Sequence, residues 1–374
     1  MTRLRSLATW RASARQVRLR SLATWRASAG QARVRRYAAS ARQGRALLAW
    51  TIVVGVAMAY APASDAYLKL GTQIGTGLAN LRFNTFPIRY FVTNRDVPGV
   101  TAVQLQQAVD HAFASWAAVP NVSLSSQFVG FTSADPLSGD NANVLGFASR
   151  PDLDRVLGST SFTVDTVSGE IVESDIFFNS TFAWSVAPAG EAGRQDLESI
   201  ALHELGHLHG LGHSMLGETE LISGGRRVLG AEAVMFPIAF SAGSVNRTLR
   251  ADDIAGISDI YGNDRFRSTT GSISGRVTKN GTGIFGAHVV AFNPASGKLV
   301  AGFTLAQDGS FVIAGLEPGP QVVRVEPLDD ADVSSFLDTS LTVDVDFKPA
   351  FYTKLVTVPR GGTAKGVDLK VVAK

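Results

Sequence analysis

Four of the chain's six histidines fall in one short string, HELGHLHGLGH from His203 to His213. That crowding restricts the backbone more than any other feature of the sequence. His203 and His207 are spaced to lie one turn apart on the same face of a helix, where both imidazoles can meet one metal ion at ~2.0–2.1 Å. Gly210 tolerates the left-handed conformation that ends a helix sharply, which lets His213 come round as a third ligand. Three nitrogen ligands leave a tetrahedral position open, the arrangement of catalytic rather than structural zinc sites. One Zn2+ is therefore the expected cofactor. Glu204, adjacent to the first ligand, is the expected general base: the metal would lower the pKa of water from about 15.7 towards ~7, while Glu204 moves the proton. His209 lies on the same helix but off the pattern, and is expected to be exposed or to support a ligand.

With 45% hydrophobic and 18% charged residues, the chain has the composition of a folded protein. The formal charge of +3 hides an uneven distribution. Residues 1–61 hold 12 arginines and no acid, leaving 23 basic against 32 acidic residues in the remainder. A nucleic-acid partner is not implied for the folded part. Cysteine is absent, which excludes disulfides, thiolate metal sites and a cysteine nucleophile.

The arginine-rich start precedes an apolar run over residues 46–61, the pattern of an export signal with cleavage sites near Ala61 to Ala66. The run is shorter than the ~20 residues that cross a bilayer comfortably. A secreted or extracytoplasmic location is expected, with anchorage in the cell envelope if the segment stays uncleaved; membrane contact enters only in that case. RLRSLATWRASARQ from Arg3 is repeated almost unchanged from Arg18, and the duplication is read as sequence upstream of the true start.

Further along, residues 86–93 have strand composition, and residues 101–116 a capping box followed by a helical apolar face. β-rich pieces at 122–128, 144–148, 156–162 and 170–179 alternate with turns and imply a sheet. Asp196 can cap a helix over 197–209, and Asp252 a third helix over 253–261. After residue 268 only short strands and Gly-rich turns remain. The expected organisation is a leader with signal or anchor at 1–65, an α+β domain at 66–263, a linker at 264–271 and an all-β sandwich at 272–374.

HELGHLHGLGHS from His203, VMFP from Val234 and LRADDIAGISDIYG from Leu249 together resemble the matrixin branch of the metzincin zinc metallopeptidases. The resemblance implies a twisted mixed sheet with three helices, hydrolysis of internal peptide bonds in protein or peptide substrates, and a methionine turn at Met235 beneath the metal. It also implies that the strand carrying Gly158, Ser159 and Thr160 is the edge to which an extended substrate adds antiparallel. The 21 residues between His213 and Met235 exceed the spacing of compact matrixins, so residues 215–232 are expected as an inserted loop. Calcium would belong to the Asp-bearing loop 135–140, although Asp-, Gly- and Asn-rich loops of this kind are more often ordinary polar turns. The C-terminal segment resembles the carboxypeptidase regulatory-like β-sandwich and contains no catalytic constellation. A rival function, an inactive metzincin that binds or adheres through its sandwich, is disfavoured by the intact ligand, base and methionine positions.

Overall fold

The computed structural model describes residues 9–11 and 68–374, apart from 75–76, 138, 166–167, 224 and 338–340. The apolar run 46–61 and its cleavage sites lie outside the described residues.

Apolar residues at three-to-four spacing define α1 (Ala102–Ala117), which buries Leu105, Val109, Phe113 and Trp116. Its first turn is closed by the capping box: Gln104 N–H donates to Thr101 Oγ1 at 3.2 Å, and Thr101 N–H donates to Gln104 Oε1 at 2.9 Å. Against α1 lies a mixed sheet, built in chain order from β1 (Thr9–Arg11), β4 (Ile88–Thr93), β5 (Ser126–Thr132), β6 (Asn143–Ala148), β7 (Val156–Val164) and β8 (Ile171–Asn179), while β2 (Gly71–Ile74) and β3 (Gly77–Asn80) form a separate hairpin. The spatial order is β1-β7-β8-β6-β4-β5. β7 runs antiparallel to β8, and the strands from β8 to β5 are parallel neighbours. β7 was expected as a free edge; instead β1 pairs with its outer side, antiparallel, with Thr9 opposite Ser159 and Trp10 opposite Gly158.

β9 (Trp184–Ser185) and β10 (Gln195–Asp196) lead into α2 (Leu197–Leu208). The helix starts where its residue chemistry says it should. Asp196 accepts from Ser199 N–H at 3.0 Å, and Arg247 bridges Asp196 and Glu198 across the first turn. Packing on α1 is fixed by Trp116, whose indole N–H donates to Leu202 O at 2.9 Å.

The expected loop at 215–232 is instead a hairpin of β11 (Gly217–Ile222) and β12 (Gly225–Ala231). Its alternating residues find partners in the C-terminal domain: Thr219 donates through N–H to Asp330 Oδ1 and through its hydroxyl to Asp330 O. The third helix, α3 (Ala251–Tyr261), begins earlier than expected, with Arg250 and not Asp252 at its N-cap. Asp252 cannot cap because its carboxylate is buried and accepts from Ala301 N–H at 2.8 Å; Asp253 closes the turn by accepting from Arg250 N–H. The linker also differs from expectation. Asn263 caps a short helix, α4 (Asp264–Thr269), which buries Phe266, so the connection is packed and ordered.

The C-terminal unit is a sandwich. One sheet centres on β13 (Gly271–Lys279), flanked by β14 (Thr282–Gly283) and β17 (Ser310–Leu316); the other on β15 (His288–Phe292), between β16 (Leu299–Phe303) and β18 (Gly319–Glu326). The short β19 (Ala350–Phe351) and β20 (Val356–Val358) extend the second sheet, and β21 (Thr363–Ala364) and β22 (Leu369–Val371) the first. Ile273, Val277 and Ile313 from one sheet meet Val289, Val323 and Val325 from the other in one apolar cluster that continues into the N-terminal α+β domain through Ala255 and Ile257 of α3.

Candidate metal centre

The helical register of α2 puts His203 and His207 side by side, with ring centroids 4.7 Å apart. Gly210 then takes φ +96°, and a Cβ there would meet Leu81 O at 2.1 Å, so only glycine permits the exit the chain makes. Residues 68–70 run antiparallel beside this turn, with Lys69 opposite Leu211. Leu70 N–H donates to Gly210 O at 2.8 Å, Gly212 N–H donates to Leu68 O at 2.6 Å, and Lys69 pairs with Asp259 at 2.6 Å. The clamped turn carries His213 to ring distances of 5.3 Å from His203 and 4.8 Å from His207.

The three imidazoles offer ligand nitrogens that all lie within 4.8 Å of one another, and they are the only such group of three or more among the described residues. Each Nδ1 faces a backbone carbonyl: Val234 O at 2.8 Å for His203, Leu211 O at 2.8 Å for His207, and Ser335 O for His213. A carbonyl only accepts, so each Nδ1 bears the proton and each Nε2 presents a lone pair. Burial, followed by repulsion from the neighbouring imidazoles, holds His203 and His207 well below the ordinary histidine range, so both rings are neutral. Two neutral Nε2 lone pairs then face each other at 3.0 Å, an arrangement that a shared cation stabilises. The donor set therefore fits a metal ion of the borderline-soft class to which Zn2+ belongs.

Glu204 is fully buried beside these rings. Its Oε2 accepts from the Thr160 hydroxyl at 2.7 Å, while its Oε1 has no hydrogen-bond partner among the described residues. Burial raises its carboxyl to about 8, partly opposed by the Thr160 hydrogen bond. Gly158 lies on the same strand, where a Cβ would stand 2.9 Å from Glu204 Oε1; glycine lets β7 approach the carboxylate. Of the three strand residues expected to face substrate, Thr160 thus turns its hydroxyl inward to the glutamate, and Gly158 and Ser159 pair with β1.

Met235 packs beneath the ligands. A Cβ on Gly206, directly before His207, would lie 2.3 Å from Met235 Sδ, so the sulfur occupies the notch that glycine leaves. The turn is held by Asp253, whose carboxylate accepts from Val234 N–H at 2.9 Å and Met235 N–H at 3.1 Å, and by Ser214 N–H, which donates to Met235 O at 2.9 Å. Sequence reasoning missed Asp253, although its place inside a recognisable helix start was a signal. His209 is neither exposed nor beside a ligand. It is a buried core residue whose Nδ1 donates to Leu205 O at 2.6 Å, packed near Phe113, Trp116 and Tyr261, and burial lowers its pKa to about 4. In the loop proposed for calcium, Asp135 pairs with Arg95 at 2.7 Å and Asp140 accepts from Ala142 N–H.

A three-histidine cluster with a buried carboxylate beside it, set on a helix under a mixed sheet, has the donor set of a metal site. Residues 82–262 match the matrixin family and residues 272–349 the carboxypeptidase regulatory-like domain; the chain carries a matrixin domain followed by that β-rich domain. Matrixins are zinc-dependent metalloendopeptidases. Relatives from Arabidopsis thaliana include Metalloendoproteinase 2-MMP, 29% identical over 199 residues (49% of this chain, 44% of that protein), and Metalloendoproteinase 1-MMP, 29% identical over 191 residues (49% and 45%). A shorter stretch of 67 residues is 45% identical to Metalloendoproteinase 5-MMP, covering 18% of this chain and 14% of that protein. The chain thus spans less than half the length of the curated relatives it matches.

Proposed function

We propose that this protein is a zinc-dependent endopeptidase that cleaves internal peptide bonds of protein or peptide substrates, with His203, His207 and His213 as ligands and Glu204 as general base. The observation that carries this reading is the convergence of three Nε2 lone pairs beside a buried carboxylate whose Oε1 has no hydrogen-bond partner among the described residues. When bound, zinc supplies Lewis-acid polarisation of a carbonyl and acidification of water. Glu204 accepts the proton of the attacking water at Oε1 and returns it to the leaving amine. Thr160 fixes the carboxylate through Oε2, so the proton moves at one defined atom. Exclusion of solvent by the surrounding core strengthens these electrostatic effects.

An extended substrate adds to the outer edge of β7, past Gly158, Ser159 and Thr160. Support comes from β1, which already occupies that edge in the antiparallel sense, and from Gly158, whose lack of a side chain brings the strand to the base. The protein acts outside the cytoplasm; the Arg-rich start and apolar run 46–61 support export, and a mature N-terminus found upstream of residue 46 would refute cleavage there. No helix among the described residues is long and apolar enough to cross a membrane.

The test of the activity is hydrolysis of an unstructured protein such as casein, together with zinc content. Glu204→Gln retains one zinc per chain and loses cleavage by roughly 100-fold or more, and a chelator abolishes cleavage by the parent protein. Full activity in either experiment overturns the mechanism.

A further inference from the structure

The third imidazole differs from the other two in where its second nitrogen goes. His203 and His207 donate to carbonyls of their own domain, Val234 and Leu211. His213 donates to Ser335 O, 122 residues further along and within the C-terminal domain. That carbonyl is held by its own local structure. Residues Val333–Ser335 form a turn of 3-10 helix, in which Ser335 N–H donates to Asp332 O at 2.8 Å and both Phe336 and Leu337 N–H donate to Val333 O at 3.0 Å.

The turn is anchored from behind. Phe336 and Leu337 are buried, at 4% and 3% exposure, in an apolar cluster shared with Met215, Phe236 and Ile238 of the catalytic domain. The Phe336 ring meets His213 edge-on, with centroids 6.5 Å apart. The segment therefore touches the ligand with a hydrogen-bond acceptor and an aromatic edge together, while the Thr219 to Asp330 pair fastens the neighbouring hairpin.

We propose that the segment 333–337 of the C-terminal domain is a positioning element of the metal centre: through the Ser335 carbonyl it sets the tautomer and ring plane of His213, and metal retention depends on it. The inference rests on the zinc reading of the site. A hydrogen bond to the far nitrogen of a metal-binding imidazole fixes its orientation and raises its basicity, and losing such a support typically costs about 10–100-fold in metal affinity. The β-sandwich is then a component of the centre.

The experiment is competition for zinc against a chromogenic chelator, on the full chain, in the parent protein and in Phe336→Ala, Phe336→Leu, Ser335→Pro and Thr219→Ala, with thermal melting of each metal-free protein alongside. Ser335→Pro keeps the buried side chains but deletes the N–H that closes the turn. The expected result is a zinc dissociation constant raised about 10–100-fold in Phe336→Ala and Ser335→Pro. Phe336→Leu should restore most of the affinity, and Thr219→Ala, which loosens the interface away from His213, should leave it unchanged. Parent-like zinc affinity in Ser335→Pro, or in a Phe336→Ala protein that melts lower when metal-free, overturns the proposal and makes the segment packing alone. Equal loss in Thr219→Ala overturns it too, by assigning the effect to the interface at large. A parent protein that holds no zinc overturns the metal reading itself, which the other outcomes leave standing.

Discussion

Glu204 gains its orientation from one neighbour. The Thr160 hydroxyl gives Oε2 its hydrogen bond, and hydrogen bonds to charged groups contribute ~1.5–3 kcal/mol. Thr160→Val keeps the shape and removes the donor, so turnover of a peptide substrate should fall roughly 10–100-fold at unchanged zinc content; equal loss of zinc would show that the residue supports the fold instead. At Gly206 the constraint is steric. Alanine there would drive a methyl to 2.3 Å from Met235 Sδ and 2.9 Å from Trp116, and overpacking of this kind costs ~1–3 kcal/mol. Gly206→Ala should therefore lower the melting temperature, and Met235→Ala in the same chain should recover part of the loss to the clash. The clustering of His203 and His207 beside Glu204 was legible because helical spacing is a local property. Thr160's role and the Ser335 carbonyl were not: the first depends on which strand faces α2, and a backbone carbonyl has no signature among side-chain letters.

The turn that carries Met235 is an element held by a residue of another element. Asp253 accepts from the N–H groups of Val234, Met235 and Arg250, so Asp253→Ala would strand the two buried donors of Val234 and Met235 and open the helix start at the exposed Arg250. Unsatisfied buried groups cost ~1–3 kcal/mol each. A drop of several kcal/mol in urea-induced unfolding is expected, together with weaker zinc retention, because Val234 also carries the carbonyl that orients His203. Strands β4, β6, β7 and β8 and helices α1 and α2 fell near their expected positions, since alternation and capping chemistry act within a few residues. The hairpin at Gly217–Ala231 and the helix Asp264–Thr269 were not foreseen. Both sequences are short, the hairpin is tied to the C-terminal domain through Thr219 and Asp330, and the helix is held by its Asn263 cap.

At the scale of the molecule, the two domains share a buried carboxyl. Asp252 accepts from Ala301 N–H across the interface, and burial raises its pKa from the ordinary 3.8 to about 7. A group whose folded pKa lies above its unfolded value contributes stability that is fully present below the unfolded pKa and is lost as pH rises through the folded one. The loss from this carboxyl thus develops between about pH 4 and pH 7 and amounts to roughly a few kcal/mol. Asp252→Asn removes the titration while keeping an acceptor for Ala301. Relative to the parent, the variant should melt progressively higher as pH is raised across that window, measured in chelator so that metal binding does not enter; parallel curves would contradict the assignment. The change from helix-bearing to Gly-rich β sequence near residue 268 was plain in the amino-acid order. How closely the two units pack was hidden, because the apolar faces that meet there look like ordinary core.

The span between His213 and the carbonyl that meets it also sets a clock. A ribosome adds about 5–20 residues per second, so 122 residues separate the two groups by on the order of ten seconds of synthesis. During that interval the nascent N-terminal domain has its three clustered histidines in the chain but lacks the acceptor for one of them. The centre reaches its final hydrogen-bonding pattern only when the segment 333–337 has emerged and docked, so the order of translation places completion of the site well after synthesis of the helix that bears His203 and His207.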